Sequence, residues 1–520
     1  MQIAFLSILL VIAALGPVLT FTRLFQVKEW RLDRLREHLR SAGIFRQLFG
    51  WLRPALVAVG FVMYVIFSVR EGDMVILGPE YAVWIPLGLL AWFSLLRFVI
   101  GKQKRPVWTK KAFLVVCLSL FLLLAIGLPL AGWIDQWFVA LSFMLLPLFA
   151  FLAVGAAWGL LLPLDLFLKK RVFEQARAMR ARYPHLTVVG ITGSVGKTTT
   201  KEMLAHILSD RSVLATPAHV NSEMGVASFL IHHLKPEHQL CIIEMGAYRK
   251  GEIAMLCSVV SPQIGVITYI GNQHLALFGS REALCMAKGE LFKALPPLGH
   301  AFLNADGDYC DTLMALAACP VSTVSTGGHA TYEAFDIQES PEGVSFTVRD
   351  APFHVPIHGT HQVTNIVLAA AVAEVLGVPL AESAKRLSSF AGLPQTFEKK
   401  IGAKGQVVLD DTHNASVPSF RAAIEWARVY PAESKILVTS GLIELGKAEQ
   451  YCCQELGLHA RDVFQEVIFL NKRCAQYFEQ GYGRTVFVPR KKKFSIALSS
   501  KMLIVCEGRM PESVVERLLA

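Results

Sequence analysis

The sequence predicts an α-helical membrane bundle followed by an α/β region built around a phosphate-binding loop. Two observations predict this order. Apolar runs crowd the chain before about residue 168, whereas the later part opens with a buried-strand pattern, Val188 to Ile191, running straight into Thr-Gly-Ser-Val-Gly-Lys-Thr-Thr-Thr. A chain of 520 residues exceeds one ordinary domain, and 53% hydrophobic residues with mean hydropathy +0.45 are too many for a wholly water-soluble protein.

Five apolar stretches can be read, most of which approach the roughly 20 residues needed to cross hydrocarbon, the second being short unless Trp51 to Pro54 extends it. They are Ile3 to Phe21, Ala55 to Val69, Tyr81 to Ile100, Phe113 to Trp133 and Phe138 to about Leu168. Pro147 and Pro163 predict a kink or an interfacial exit in the last. No basic residue precedes the first stretch, which predicts a retained span rather than a cleaved leader. Cations fall instead in Arg23 to Arg53, Lys102 to Lys111 and Lys169 to Arg171. Positive charge marks the inner side, so the N-terminus is expected outside a bacterial cytoplasmic membrane, with Glu71 to Glu80 and Asp135 also outside. Everything after Lys169 is then cytoplasmic.

The same topology accounts for much of the net charge of +10. Membrane lipid is the expected partner of these cations, and nucleic acid is not, because the soluble part shows no basic face interleaved with aromatics. Trp30, Leu32, Leu35 and Leu39 alternate with Arg31, Arg34, Arg36 and Arg40. Either an interfacial helix on anionic lipid or a charged connector fits that pattern. The ten cysteines lack paired CxxC spacing and read as reduced thiols of a cytosolic region.

After the strand at Val188 to Ile191, a helix is expected from Lys197 to Ser209. Strand, glycine turn and helix start together surround phosphate oxygens with backbone N–H groups. The loop residues Thr192, Gly193, Ser194, Val195, Gly196, Lys197, Thr198 and Thr199 are therefore expected to hold a nucleoside triphosphate. Lys197 would neutralise the outer phosphates and the Thr198 hydroxyl would bind magnesium. Ile191 stands where the longer P-loop pattern has its first glycine, so the match is to the shorter GxxGK[ST] loop. Further strands, Leu240 to Ile243 and Val266 to Ile270, lead to Glu244, suited to the same magnesium, and to His274, with Lys288 fourteen residues later.

In this order the motifs resemble the Mur ligase family, most closely its branch that joins D-alanyl-D-alanine to a muramyl tripeptide. The resemblance rests on Ile-Thr-Gly-Ser-Val-Gly-Lys-Thr-Thr, Thr216 with Asn221-Ser222-Glu223-Met224-Gly225, Glu244-Met245-Gly246-Ala247, His274-Leu275 and Ala287-Lys288-Gly289-Glu290. It continues through Asn304-Ala305-Asp306, Gly359-Thr360-His361 with Asn365, Asp410-Asp411-Thr412-His413-Asn414-Ala415, and Glu444-Leu445-Gly446. It implies a P-loop ATP-binding central domain over 169–393 and a Rossmann-like C-terminal domain over 394–520, after the membrane domain that the apolar runs predict over residues 1–168. Strand-like runs at Val407 to Leu409, Lys435 to Thr439, Val467 to Leu470, Thr485 to Val488 and Leu503 to Val505 fit the last.

The resemblance also implies an ATP-dependent ligase with two magnesium sites. Thr198 and Glu244 would hold the first ion, His274 and Lys288 would serve the second, and Lys197, His274 and Lys288 would be the catalytic side chains. Lys288 matches a lysine that the family carbamylates, which turns a cation into an anionic oxygen ligand. Asn304 and Asp411 would contact the nucleotide. The acceptor would be a muramyl peptide, UDP- or lipid-linked, and the amine D-alanyl-D-alanine or one like it.

Departures concern substrate contacts. Thr396 stands where arginine is expected, His413 where tyrosine is, Ser416 where asparagine is, and His219 and Ser222 where asparagines are common. Apolar spans occupy the place of the small domain that holds the UDP moiety. A transport ATPase is the rival class, though the spans hold almost no ionisable side chain apart from Arg97 near an end. A nucleotide-binding scaffold and a related amide ligase are the others.

Overall fold

The computed structural model describes residues 2–42, 52–68, 81–133, 139, 143–271, 275–340, 342–413, 416–442, 445, 448–489, 494 and 496–520. The chain forms two compact units, Met1–Lys170 and Arg171–Ala520.

The first unit is helical: Gln2–Val27, Leu32–Ala42, Leu52–Ser68, Tyr81–Val99, Lys110–Trp133 and the start of Leu146–Ala181. Among the described residues three helices, Phe5–Val27, Lys110–Gly127 and Phe143–Ala181, are long and apolar enough to cross a membrane, and Val83–Val99 is a shorter apolar helix. Of the five expected stretches, Ala55 to Val69 and Tyr81 to Ile100 correspond among the described residues to the shorter helices Leu52–Ser68 and Tyr81–Val99, and Glu71 to Glu80 and Asp135 lie outside the described residues. Pro163 sits inside the last helix without ending it. Polar side chains pin the apolar helices. Gln103 donates to the carbonyl of Gly16 at 2.9 Å and to Thr20 Oγ1 at 3.1 Å, and Ser94 Oγ donates to Ala13 O.

Leu32–Ala42 is helical, but Leu35 is buried against Val18, Phe21 and Phe25, with Trp30 and Leu39 packed on that cluster. Leu35, Trp30 and Leu39 of its apolar stripe thus pack within the unit, while Leu32 stays exposed.

The second unit holds two sheets. β1 (Thr187–Thr192), β2 (Val213–Ala215), β3 (Leu240–Glu244), β4 (Ile264–Ile267), β5 (His300–Asn304), β6 (Val321–Ser325), β7 (Tyr332–Ser340), β8 (Gly343–Val348) and β9 (Ala351–Val355) lie in the order β2-β3-β1-β4-β5-β6-β7-β8-β9. Pairing is parallel up to β7 and antiparallel through β8 and β9. Successive side chains of a strand point to opposite faces, so a doubly covered strand must be apolar on both. β1 obeys this: Val189 and Ile191 enter one core with the helices Lys197–Ile207 and Val363–Val375, while Val188 enters the other with Glu223–His233 and Glu252–Val260.

The second sheet has β10 (Glu398–Ile401), β11 (Val407–Asp411), β12 (Ser434–Thr439), β13 (Glu466–Phe469) and β14 (Met502–Glu507) in the order β10-β11-β14-β12-β13, parallel except for β10. The strand expected at Thr485 to Val488 is reduced to one bridge, Phe487 with Ile468. The one expected over Val266 to Ile270 ends at Ile267, because Thr268 and Tyr269 turn away to bind the glycine loop.

Phe302 of β5 is fully buried and stacks on His300 with ring centroids 4.7 Å apart. Phe302→Ala should cost about 3–5 kcal/mol, read as a lower melting temperature of the full chain by scanning fluorimetry. An unchanged melt would show that this core relaxes around the gap.

Candidate active site

β1, β3, β4 and β5 are parallel neighbours, and their C-terminal ends carry Thr192, Glu244, Thr268 and Asn304. Ligands of open α/β sheets bind at such ends, where the strand order reverses. Here the chain leaves the central β1 for β2 and β3 on one side and then crosses to β4 on the other.

Hydrogen bonds shape the loop after β1. Thr192 Oγ1 donates to Met245 O at 2.8 Å, Ser194 N–H donates to Tyr269 O at 2.7 Å, and Ser194 Oγ accepts from Gly271 N–H at 3.1 Å. Thr268 Oγ1 donates to Val195 O at 2.5 Å. Gly193 has φ +149° and Gly196 φ +86°, and a Cβ would fall 2.0 Å from Thr268 Oγ1 at the first and 2.2 Å from Asn365 Oδ1 at the second. Only glycine fits either position. Gly196 caps the helix Lys197–Ile207, so the first helical N–H groups face the concave loop.

The side chains converge on Glu244. It is 3% exposed, accepting from Thr198 Oγ1 at 2.8 Å and from Asn221 Nδ2 at 2.9 Å, and its own N–H donates to Thr216 Oγ1 at 3.0 Å. Burial alone would push its carboxyl up, but the Lys197 charge, those two bonds and Lys201 outweigh this and hold it below the ordinary value. Lys197 Nζ donates to Ser194 O at 3.1 Å, and burial lowers it against the pull of Glu244. Thr199 is buried on the same first turn. Lys288, buried on the helix Arg281–Lys293, is pushed down to about 7, first by burial and then by the Lys197 charge, against Glu252, Glu244 and Glu290. Lys197, Thr198, Glu244 and Lys288 thus share one electrostatic neighbourhood.

The other expected residues are placed differently. His274 lies outside the described residues. Asn304 Oδ1 accepts from the Asp306 N–H at 2.8 Å, beside Thr268 and Tyr269. Asp411, at the end of β11, accepts from Phe397 N–H at 3.1 Å and from the Ser419 hydroxyl, so both oxygens are engaged within the second sheet. Its register partner on β14 is Glu507, fully buried and without a hydrogen-bond donor among the described residues.

Sequence reasoning missed Lys201. It is fully buried, donates to Thr216 O at 2.5 Å, and lies 2.9 Å from Glu202 and 3.9 Å from Glu244. A lysine one helical turn after Lys197 was the available signal, since i and i+4 share a face. Asn221, Thr268 and Asn365 were also left without a role, though Asn221 and Asn365 stand in the motifs.

A cavity of about 700 Å³ adjoins the loop through Tyr269 and Gly271 and is lined further by Arg281, Thr360, Pro418 and Trp426. Its walls come from both sheets of the unit. A second cavity of about 650 Å³, beside Cys257, Gln263 and Lys293, opens where β4 begins and so lies at the opposite end of the strands.

A family profile described as the Mur ligase middle domain matches residues 191–373. The UDP-N-acetylmuramoyl-tripeptide–D-alanyl-D-alanine ligase of Escherichia coli K12 is 32% identical over 324 residues, covering 59% of this chain and 71% of that protein. The chain belongs to the Mur ligase family. The Bacillus subtilis ligase of the same name is 33% identical over 275 residues, or 52% of this Mur ligase and 59% of the relative. Among solved structures, MurF from Acinetobacter baumannii aligns with TM-score 0.62 at 26% identity, over 68% of this chain and 80% of that one. A Thermotoga maritima MurF ligase solved in complex with ADP aligns with TM-score 0.59 at 26% identity, over 67% and 82%. The family match begins within β1 and ends in the helix Val363–Val375, so it spans the glycine loop, Glu244 and Lys288.

The buried acid pair makes a separate prediction. Burial pushes Asp411 up to about 6 from 3.8, although its bonds from Ser419 and Phe397 pull back, and burial with the Asp411 charge raises Glu507 well above its ordinary value. The folded pair holds protons more tightly than the unfolded chain, so its stabilising effect is complete below the ordinary carboxylate range and is lost as pH rises from about 4 through about 6. Glu507→Gln should therefore melt higher than wild type at pH 8 and show a shallower fall in melting temperature between pH 5 and 8. Identical slopes in the two proteins would refute the raised proton affinity of the pair.

Proposed function

We propose that this Mur ligase activates the carboxylate of a muramyl tripeptide with ATP and joins it to D-alanyl-D-alanine. Its kinship makes it a peptidoglycan-precursor ligase, and the choice of substrates follows the relatives whose names state them. The observation that carries the chemistry is the convergence of Lys197, Thr198 and Glu244 on a glycine loop at the mouth of a parallel sheet. In the proposed division of labour, residues 1–168 anchor the protein, 169–393 bind ATP, and 394–520 close over it.

The loop N–H groups and the helix start bind the phosphates, and Lys197 leaves the Ser194 carbonyl to meet the charge that grows on the transferring phosphoryl group. A carboxylate oxygen attacks the γ-phosphorus. The bond from phosphorus to the β,γ-bridging oxygen breaks, and its electron pair leaves with ADP. The amine then attacks the acyl phosphate, a proton passes to solvent, and phosphate departs from the tetrahedral species. The cavity between the sheets suits the nucleoside, since it begins at residues bonded to the loop.

Thr198 and Glu244 fit a magnesium ion, because a hydroxyl and a carboxylate only 2.8 Å apart are hard oxygen donors. Bound there, magnesium would neutralise phosphate charge. A second magnesium ion would draw on His274 and Lys288. A carbamate on Lys288 is supported by the lowered value of its amine, since only the neutral amine takes up carbon dioxide.

The three long apolar helices and the cations beside them support a multi-pass position in the cytoplasmic membrane, with the ligase unit inside. Such a position favours a lipid-linked muramyl peptide as the second candidate acceptor.

Lys197→Ala should lower phosphate release that depends on both substrates by about 100-fold or more in a protein that still folds and melts cooperatively. Lys288→Ala should lose activity that added short carboxylates partly restore. Wild-type turnover in Lys197→Ala would remove the site assignment. After cell breakage and an alkaline wash the full chain should stay in the membrane pellet, and release into the supernatant would contradict the anchor.

A further inference from the structure

Lys201 is a buried charge that the proposed reaction leaves unused. On the helix Lys197–Ile207 it is buried along with Met203, Leu204 and Ile207, where a leucine or methionine would avoid the cost of taking an ammonium out of water. A lysine is almost never buried so fully unless something pairs it. Its Nζ donates to Thr216 O at 2.5 Å and lies 2.9 Å from Glu202 Oε1 and 3.9 Å from Glu244 Oε2.

Two carboxylates thus compete for one ammonium. Glu202 is the nearer, but it is 36% exposed and its charge is screened by water, whereas Glu244 is buried and acts through a medium of lower dielectric. The gap of 3.9 Å lies beyond a hydrogen bond, yet a shift of about 1 Å would close it. The oxygen concerned is the one that Thr198 bonds, so the ammonium adjoins the two donors that fit magnesium. Thr198 and Asn221 each hold one oxygen of Glu244. The orientation of the carboxylate therefore stands without Lys201, and what the lysine adds is charge.

A magnesium ion on Thr198 and Glu244 and the ammonium beside them would repel each other. Glu202 gives the ammonium a second partner to retreat to. We propose that Lys201 is a positioning residue that takes the place of the metal's charge beside Glu244 between turnovers and passes to Glu202 when magnesium binds. Glu244 then has a cation at hand at every stage, and the metal is held loosely enough to leave with ADP. This exchange rests on the nucleotide-site reading above and adds what sets the affinity of its metal.

The test is binding of ADP to the purified full chain by titration calorimetry, once in magnesium and once in EDTA, for wild type, Lys201→Met, Glu202→Gln and the double variant. The Kd in EDTA divided by the Kd in magnesium reads what the metal contributes. Lys201→Met should raise that ratio by about tenfold, because a charge that repels the metal is gone. Glu202→Gln should lower it by about threefold, because the ammonium is left to compete at Glu244. The double variant should match Lys201→Met, since Glu202 acts only through the lysine. A lysine that merely props the fold would shift the melting temperature and leave the ratio alone. Unchanged ratios, a lower ratio in Lys201→Met or additive effects in the double variant would overturn the exchange while leaving the nucleotide site intact. Should Lys201→Met fail to fold, the ratio in Glu202→Gln decides by itself. No gain in ADP affinity from magnesium in wild type would overturn the site reading, and the exchange with it.

Discussion

The carboxylate of Glu244 is the group on which the geometry of the catalytic unit depends. It ends a central buried strand, and its two oxygens join the glycine-loop helix through Thr198 to the loop after β2 through Asn221. A buried anion is costly unless paired and hydrogen-bonded, and breaking such an arrangement typically costs about 3–5 kcal/mol. Lys197 and Lys201 supply the compensating charge, and Lys201 in turn is held by the Thr216 carbonyl. Three chain segments distant in sequence are thereby tied together around one carboxylate.

The surrounding sheet explains why these groups stay in place. Both faces of β1 and β3 are covered by apolar helices, and Val363–Val375 is buried on almost every side between the loop helix and the strands. The second sheet meets this scaffold through side-chain contacts rather than shared strands. His358 packs on Trp426, and His361, buried and pushed down to about 4, lies edge-on to Phe397 at 5.0 Å.

The helical unit shows how packing redirects a sequence pattern. Leu35, in a pattern that fits an interfacial helix or a charged connector, is buried in one cluster with Val18 and Phe25, while Leu32 of the same helix stays exposed. Lys111 sits 4.8 Å from the Trp30 ring and pairs with Asp165 at 2.9 Å, so cations near the helix ends are partly tied to the unit's own aromatics and acids.

The glycine loop was legible because strand, turn and helix are consecutive, and positive φ at Gly193 and Gly196 is written in the residue type itself. The same locality made Thr198, the strand ending in Glu244, and most strands of the second sheet readable. The early end of β4 was not, because Thr268 and Tyr269 are drawn off by a loop more than seventy residues earlier. Asp411 beside Glu507 follows from the register of parallel strands that are neighbours in space only, so no spacing announces that the two acids lie side by side. The stacking of His219 on His413 likewise depends on how two sheets meet. Sequence alone determined the chemistry of the phosphate loop and the order of the elements, since both are set by short-range sterics and periodicity. Tertiary structure alone decided which distant side chains compensate Glu244, where Asp411 points and which apolar stripes are covered, since burial and charge pairing act between groups that the chain brings together only on folding.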